Sequence, residues 1–194
     1  MSDGARSAGD SAPPAIALRE AGPADLPQIQ AIYAHHVAHG LASFELEPPD
    51  LEEMTRRHQA VIGLGLPYLV AELEGRVRGF AAAGPYRPRP AYRYTLENTV
   101  YVDPAAQRQG IGEALLAALI ERCTMLGYRR MVAVIGDSAN RPSIRLHEKL
   151  GFQVAGRIPS VGFKFGRWVD SVILQRPLGE GDGTLPDEYQ RSLV

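Results

Sequence analysis

The segment Gln107-Arg108-Gln109-Gly110-Ile111-Gly112 is the part of the chain best suited to hold a phosphate group. It follows the apolar run Val100-Tyr101-Val102 and precedes residues with helical spacing, so a strand should pass through a short turn into a helix. A helix start leaves its first backbone N–H groups unpaired and carries about half a positive charge. Gly110 and Gly112 would let a ligand approach that backbone closely. Together these features suit a pyrophosphate cradle. A dinucleotide fingerprint would need a third glycine where this chain has Leu115, and the Gly-Lys-Ser/Thr of a P-loop is absent. Read alone, the segment is equally a helix begun by a flexible turn.

Proton chemistry has two candidates. Glu97 falls in the middle of the expected strand Arg93–Val102, where a carboxylate is uncommon without a partner or a purpose. It is either a general base or a solvated strand glutamate. His147 lies on a short expected helix and can exchange a proton near neutral pH, or can be satisfied by core and backbone contacts. Arg87, Arg89 and Arg93 offer planar, bidentate donors for a carboxylate or phosphinate, or else belong to a solvated loop with Pro88 and Pro90. His35 and His39 stand four apart, the spacing for a shared metal, but no H-E-x-x-H pattern surrounds them and no metal site is expected. Cys123 shares an apolar stripe with Leu115 and Leu119, which marks it as a buried thiol and not a nucleophile.

The elements that must position these groups alternate between strands and helices. Ile16–Glu20 is a short strand, and Pro23 opens a helix reaching about Val37, with Leu26, Ile29, Ile32, Tyr33 and Val37 on one face. Asp50 is an N-cap for a second helix to about Ile62. Tyr68–Leu73 and Arg76–Ala83 flank Glu74-Gly75 as a hairpin. After the strand Arg93–Val102 come a helix over Gly110–Leu126 stopped by Gly127, a buried strand Arg130–Ile135 and a helix Pro142–Leu150. Strands Phe152–Phe163 and Trp168–Pro177 follow. Hairpins combined with a crossover helix predict an α+β fold on a sheet that is part antiparallel and part parallel.

Length and composition bound the rest. The 194 residues make one domain, expected over 16–178, with a polar, proline-containing leader (1–15) and a glycine-rich acidic tail (179–194) outside the core. Twenty-one basic and 22 acidic residues give a net charge of −1, without the excess expected of a nucleic-acid binder. A single cysteine excludes an internal disulfide. No apolar run approaches the ~18–20 residues of a membrane span, and the N-terminus lacks a signal-peptide core, so a cytoplasmic protein is expected.

Gln107-x-x-Gly110-x-Gly112 after an apolar strand resembles the acetyl-CoA signature of the GNAT superfamily of acyl-CoA N-acyltransferases. Arg130–Ile135, Asn140 and the helix ending in Glu148-Lys149-Leu150-Gly151-Phe152 are similar to that superfamily's next elements. Ile32-Tyr33, Ala42-Ser43-Phe44-Glu45, the stretch Ala91–Glu97, Leu146-His147-Glu148, Val161–Lys164 and Gly166–Asp170 resemble its phosphinothricin and methionine sulfoximine acetyltransferase subfamily. The resemblance spans the whole expected domain. It implies a mixed, mostly antiparallel sheet with a central V-shaped splay and about four helices.

It also implies acetyl-CoA as co-substrate, paired with backbone near Val100, Tyr101 and Val102. The pyrophosphate would lie on the turn from Gln107 through Gln109 to Gly112, with Glu113 and Ala114 completing the first helical turn and Asn140 and Ser143 across from it. The reaction implied is attack of an α-amine on the thioester, with Glu97 as base and His147 as acid or base. Many GNAT enzymes carry tyrosine at the place of His147; the subfamily carries histidine. Phe44, Glu45, Arg87, Arg89, Tyr92, Arg93, Lys164 and Trp168 would contact the small-molecule amine. A homodimer is implied. The alternatives are a same-fold enzyme for a polyamine, an aminoglycoside or a peptide N-terminus, or a non-catalytic acyl-CoA sensor.

Overall fold

A computed structural model describes residues 15–186. The expected leader up to residue 14, and the tail beyond 186, lie outside the described residues. Seven strands form one sheet in the order β1-β2-β3-β4-β5-β7-β6. They are β1 (Ala17–Glu20), β2 (Tyr68–Leu73), β3 (Arg76–Pro85), β4 (Thr95–Val102), β5 (Arg130–Gly136), β6 (Gln153–Lys164) and β7 (Arg167–Pro177). Four helices cover it: α1 (Leu26–His39), α2 (Leu51–Gly63), α3 (Ile111–Met125) and α4 (Arg141–Lys149).

Period-2 alternation assigns each strand's side chains to two cores. Leu69, Ala71, Ala81, Ala83, Leu96, Met131 and Ala133 pack with the α3 stripe Ile111, Leu115, Leu116, Leu119 and Cys123. Tyr68, Val70, Phe80 and Ala82 pack with Leu26, Ile29, Ile32, Tyr33 and Val37 of α1 and Met54 of α2. Asp50 caps α2 as expected, its Oδ1 accepting the Glu53 N–H at 2.8 Å. Burial pushes the Cys123 thiol up to about 12, as suits a core residue.

The strand expected from Arg93 begins two residues later. Pro90 opens a 3₁₀ turn over Pro90–Tyr92, and the Arg93 N–H closes it on the Pro90 carbonyl at 3.1 Å. The first expected helix likewise begins as a 3₁₀ turn, Pro23–Asp25. The acidic tail is less detached than its composition suggests. Gly181 is buried, and Arg129 binds the Thr184 hydroxyl at 3.1 Å and the Leu185 carbonyl at 3.3 Å, folding the chain back beside β5.

The feature that makes a site is the junction between β4 and β5. The two run parallel and pair over three positions only: Thr95 with Arg130, Leu96 with Met131, Glu97 with Val132. β3 stays paired to β4 through Val102, and β7 to β5 through Gly136. The sheet therefore splits into a V whose arms are 98–102 of β4 and 133–136 of β5.

Candidate active site

A cavity of about 300 Å³ occupies the V. Glu97, Asn98, Thr99, Val100 and Tyr101 line one arm, Ala133–Gly136 the other, and Ser143 and His147 of α4 stand at the vertex. From Thr99 onward β4 is paired only on its β3 side, so its other edge offers backbone donors and acceptors to the cavity. An extended ligand can add there as a strand.

Glu97 is half-buried, and its carboxyl makes no hydrogen bond or ion pair among the described residues. Desolvation pushes its carboxyl above the usual carboxylate range, and the positive charge of Arg87 pulls back weakly. A buried carboxylate without a partner is the environment in which a base retains affinity for a proton near neutral pH. His147 is 4% exposed, with its Nδ1 2.8 Å from the Ser143 carbonyl and its Nε2 3.1 Å from Asn98 Oδ1. Burial pulls its pKa below that of an ordinary histidine, and the Ser143 carbonyl works against that shift.

At the start of α3 the chain takes the left-handed conformation twice, at Arg108 (φ 61°) and at Gly110 (φ 82°). Such turns aim successive amides outward and form an anion-binding concavity. Gly110 is required by its φ, since a Cβ there would meet nothing within 4 Å. Gly112 also has a packing role: a Cβ there would lie 3.3 Å from Leu146 and 3.4 Å from Val102. Gln107, Arg108 and Gln109 are exposed on this turn, Ile111 is core, and Ala114 N–H closes the first helical turn on the Gly110 carbonyl. Glu113 pairs with Lys149 at 2.6 Å, tying α3 to α4. The donors at this turn and the exposed β4 edge match what a pyrophosphate and a pantetheine chain would need. Asn140 caps α4, its Oδ1 accepting the Ser143 N–H at 3.4 Å.

The far wall of the cavity is the loop between α1 and α2. Its Ser43 and Phe44 face the cavity beside Tyr33. The Tyr33 hydroxyl contacts Ser43 Oγ at 3.1 Å and donates to Glu45 at 2.9 Å, and Arg57 Nη1 donates to Glu45 at 2.7 Å. The Tyr101 ring packs edge-on to Tyr33 and stacks near Phe80, and burial pushes its phenol pKa up. Lys164 is 3% exposed and donates Nζ to the carbonyls of Val37 and Ser43 at 2.8 and 2.9 Å. Its ammonium thus holds the loop, and Lys164, expected to contact the amine, does not line the cavity.

Trp168, expected to contact the amine, lies elsewhere in this chain. It is 66% exposed on the β6–β7 hairpin, packs against Phe163 and does not line the cavity. Arg87, Arg89, Tyr92 and Arg93 lie exposed on the segment leading into β4, with Arg87 over the Tyr86 ring and Arg93 over Tyr94. His35 and His39 stack on an exposed face, and no metal-binding group of three exists among the described residues.

Asn98 was missed in the sequence, although a signal was present. It shares strand parity with core residue Leu96, and a polar side chain at a core position has hydrogen-bonding duties to fill. Tyr33 and Ser43 fell within the motifs that carry the family resemblance, whereas Arg57 gave no comparable signal, because its contact with Glu45 depends on how the α1–α2 loop folds.

Comparison with known proteins agrees with this geometry. Residues 30–152 match the Acetyltransferase (GNAT) family. A phosphinothricin N-acetyltransferase of Alcaligenes faecalis is 56% identical over 163 residues, 84% of this chain and 83% of that protein. An L-methionine sulfoximine/L-methionine sulfone acetyltransferase of Salmonella typhimurium is 42% identical over 165 residues, 85% and 96% of the two chains. A GNAT superfamily phosphinothricin acetyltransferase from Sinorhizobium meliloti, solved in complex with AcCoA, superposes with a TM-score of 0.87 at 47% identity, covering 89% of this chain and 94% of that one. The splayed sheet, the left-handed turn into α3 and these likenesses lead to one assignment: the chain belongs to the GNAT acetyltransferase family.

Proposed function

We propose that this acetyl-CoA-dependent N-acetyltransferase acts on the α-amine of a small amino-acid-like acceptor, of the phosphinothricin, methionine sulfoximine or methionine sulfone type. The observation that carries the mechanism is Glu97: a carboxylate without a hydrogen-bond partner among the described residues, raised in pKa by burial, in the same cavity as the unpaired β4 edge. An amine near its usual pKa is mostly protonated at neutral pH. Glu97 accepts that proton, directly or through a water. The freed nitrogen then attacks the thioester carbonyl, its second proton passes to water, and the carbon–sulfur bond breaks as the amide forms. A backbone N–H near Tyr101 meets the developing oxyanion. His147 returns a proton to the departing thiolate, so the products are the N-acetylated acceptor and CoA.

Backbone near Val100 and Val102 holds the pantetheine, and the amides from Arg108 to Gly112 hold the pyrophosphate. Arg87, Arg89 and Arg93 grip the acceptor's carboxylate or phosphinate, and Phe44, Glu45 and Tyr92 wall it in. A homodimer is part of the proposal. It is supported by the edge strand β6 and its hairpin, which leave Val154, Ile158, Val161, Phe163 and Trp168 between 45 and 66% exposed. No described helix is long and apolar enough to cross a membrane. We place the activity in the cytoplasm and assign it a detoxifying role.

The test is free-thiol release from acetyl-CoA against these three acceptors and a panel of polyamines, aminoglycosides and peptides. Turnover confined to the amino-acid analogues is the expected result. Turnover with another amine alone would overturn the acceptor. CoA binding without any turnover would leave a sensor module.

A further inference from the structure

Asn98 closes the last rung of the β4–β5 ladder with its side chain: Nδ2 donates to the Val132 carbonyl at 3.2 Å, just where pairing ends at Glu97 and Val132. Its Oδ1 then faces His147 Nε2, while His147 Nδ1 faces the Ser143 carbonyl. The chain of contacts is Val132, Asn98, His147, Ser143. Both of its ends are backbone carbonyls, which only accept.

This fixes a proton count. Asn98 must spend its amide N–H on Val132 and so presents an acceptor to the ring. His147 is left between two acceptors. A neutral imidazole has one N–H and satisfies one of them, leaving a lone pair against an oxygen at the other. Turning the Asn98 amide over moves the mismatch to Val132 without removing it. Only the doubly protonated ring satisfies every group.

We propose that Asn98 is a positioning residue that biases His147 toward its proton-loaded form at the vertex of the V. Its consequence for turnover rests on the proton-donor role given to His147 above. Burial works in the opposite direction and the Ser143 carbonyl works against it; in this proposal the Asn98 Oδ1, 3.1 Å from Nε2, adds to that opposition. The other groups around the ring leave this balance to Asn98 and the Ser143 carbonyl. Glu97 and Tyr101 of β4 and Tyr33 of α1 share the cavity without bonding the ring. β5 contributes Ala133, Val134, Ile135 and Gly136, and the Phe152 ring covers one side at 5.0 Å between centroids.

The experiment is a ¹⁵N-histidine NMR titration of the full chain, with the His147 resonances assigned through His147→Gln. Asn98→Leu keeps the shape and removes the acceptor. It should lower the pH at which His147 loses its second proton by about one unit. Asn98→Asp supplies a stronger acceptor and should raise it. The limb of the kcat/KM pH profile due to His147 should move in the same two directions with CoA affinity kept. An unmoved titration in either folded variant, or the same direction of shift in both, overturns the proposal. The titration needs no acceptor, so failure of the substrate assignment is read separately, in the thiol-release screen.

Discussion

The ring of Phe44 rests on Gly162: a methyl added to Gly162 would stand 2.6 Å from Cε2 of that ring and 2.8 Å from Cδ2. Gly162→Ala should therefore push Phe44 off its seat and cost roughly 1–3 kcal/mol. Phe44→Ala in the same chain should recover most of that loss, and a double-mutant cycle of thermal unfolding measures the coupling. Gly136→Ala should cost more and resist rescue, because its Cβ would meet the backbone carbonyl of Leu41, which cannot swing aside as a ring can.

Glu97→Gln should lower kcat/KM roughly 100- to 10,000-fold with CoA affinity unchanged. The pH profile of the parent should show an acid limb above the ordinary glutamate range, since the base works deprotonated and burial raises its pKa. Arg87 holds that pKa down, so Arg87→Met should move the limb to higher pH. The same shift has a stability sign. A carboxyl whose folded pKa is raised binds more protons folded than unfolded, and stability falls as pH rises from the ordinary value through the folded one. Glu97→Gln should thus raise Tm at neutral pH while removing activity.

Lys164→Met should leave the Val37 and Ser43 carbonyls without their buried donor and cost roughly 2–5 kcal/mol in chemical denaturation. With the wall loop loosened, KM for the acceptor should rise several-fold and the affinity for CoA should not change. A direct contact of Lys164 with the acceptor would instead lose binding without a comparable loss of stability.

Gly110→Ala places a side chain at φ 82°, which costs about 1–2 kcal/mol unless the turn relaxes. The turn is exposed and free to relax, so the loss should appear in CoA affinity, roughly 5- to 30-fold by calorimetry. Gly112→Ala should spare the turn and appear in Tm, because its methyl presses on Leu146 and Val102.

The strands and helices were legible because their signals are local. Asp50, Gly127 and the Glu74-Gly75 turn sit where expected, and the α3 stripe is the observed core face. Glu97 and His147 were legible as chemistry-bearing types, and the structure brings them to one cavity. Strand sequence does not say that Lys164 turns under a loop or that Trp168 points out from a hairpin. The Lys164 partners lie 121 and 127 residues away in the chain, a distance over which no motif operates. Asn98 was overlooked beside Glu97 although its parity set it apart.

The short β4–β5 ladder also has a mechanical meaning. The sheet is a book opened on the ligand side, with β1 to β4 as one cover and β5 to β7 as the other. Its spine is three register pairs long and is finished by a single carboxamide. In a continuous sheet the opening angle is dictated by the whole ladder; here it falls to a few side chains at the spine. Substitutions there can retune the width of the opening, and with it the range of acceptors admitted, without altering any residue that touches an acceptor.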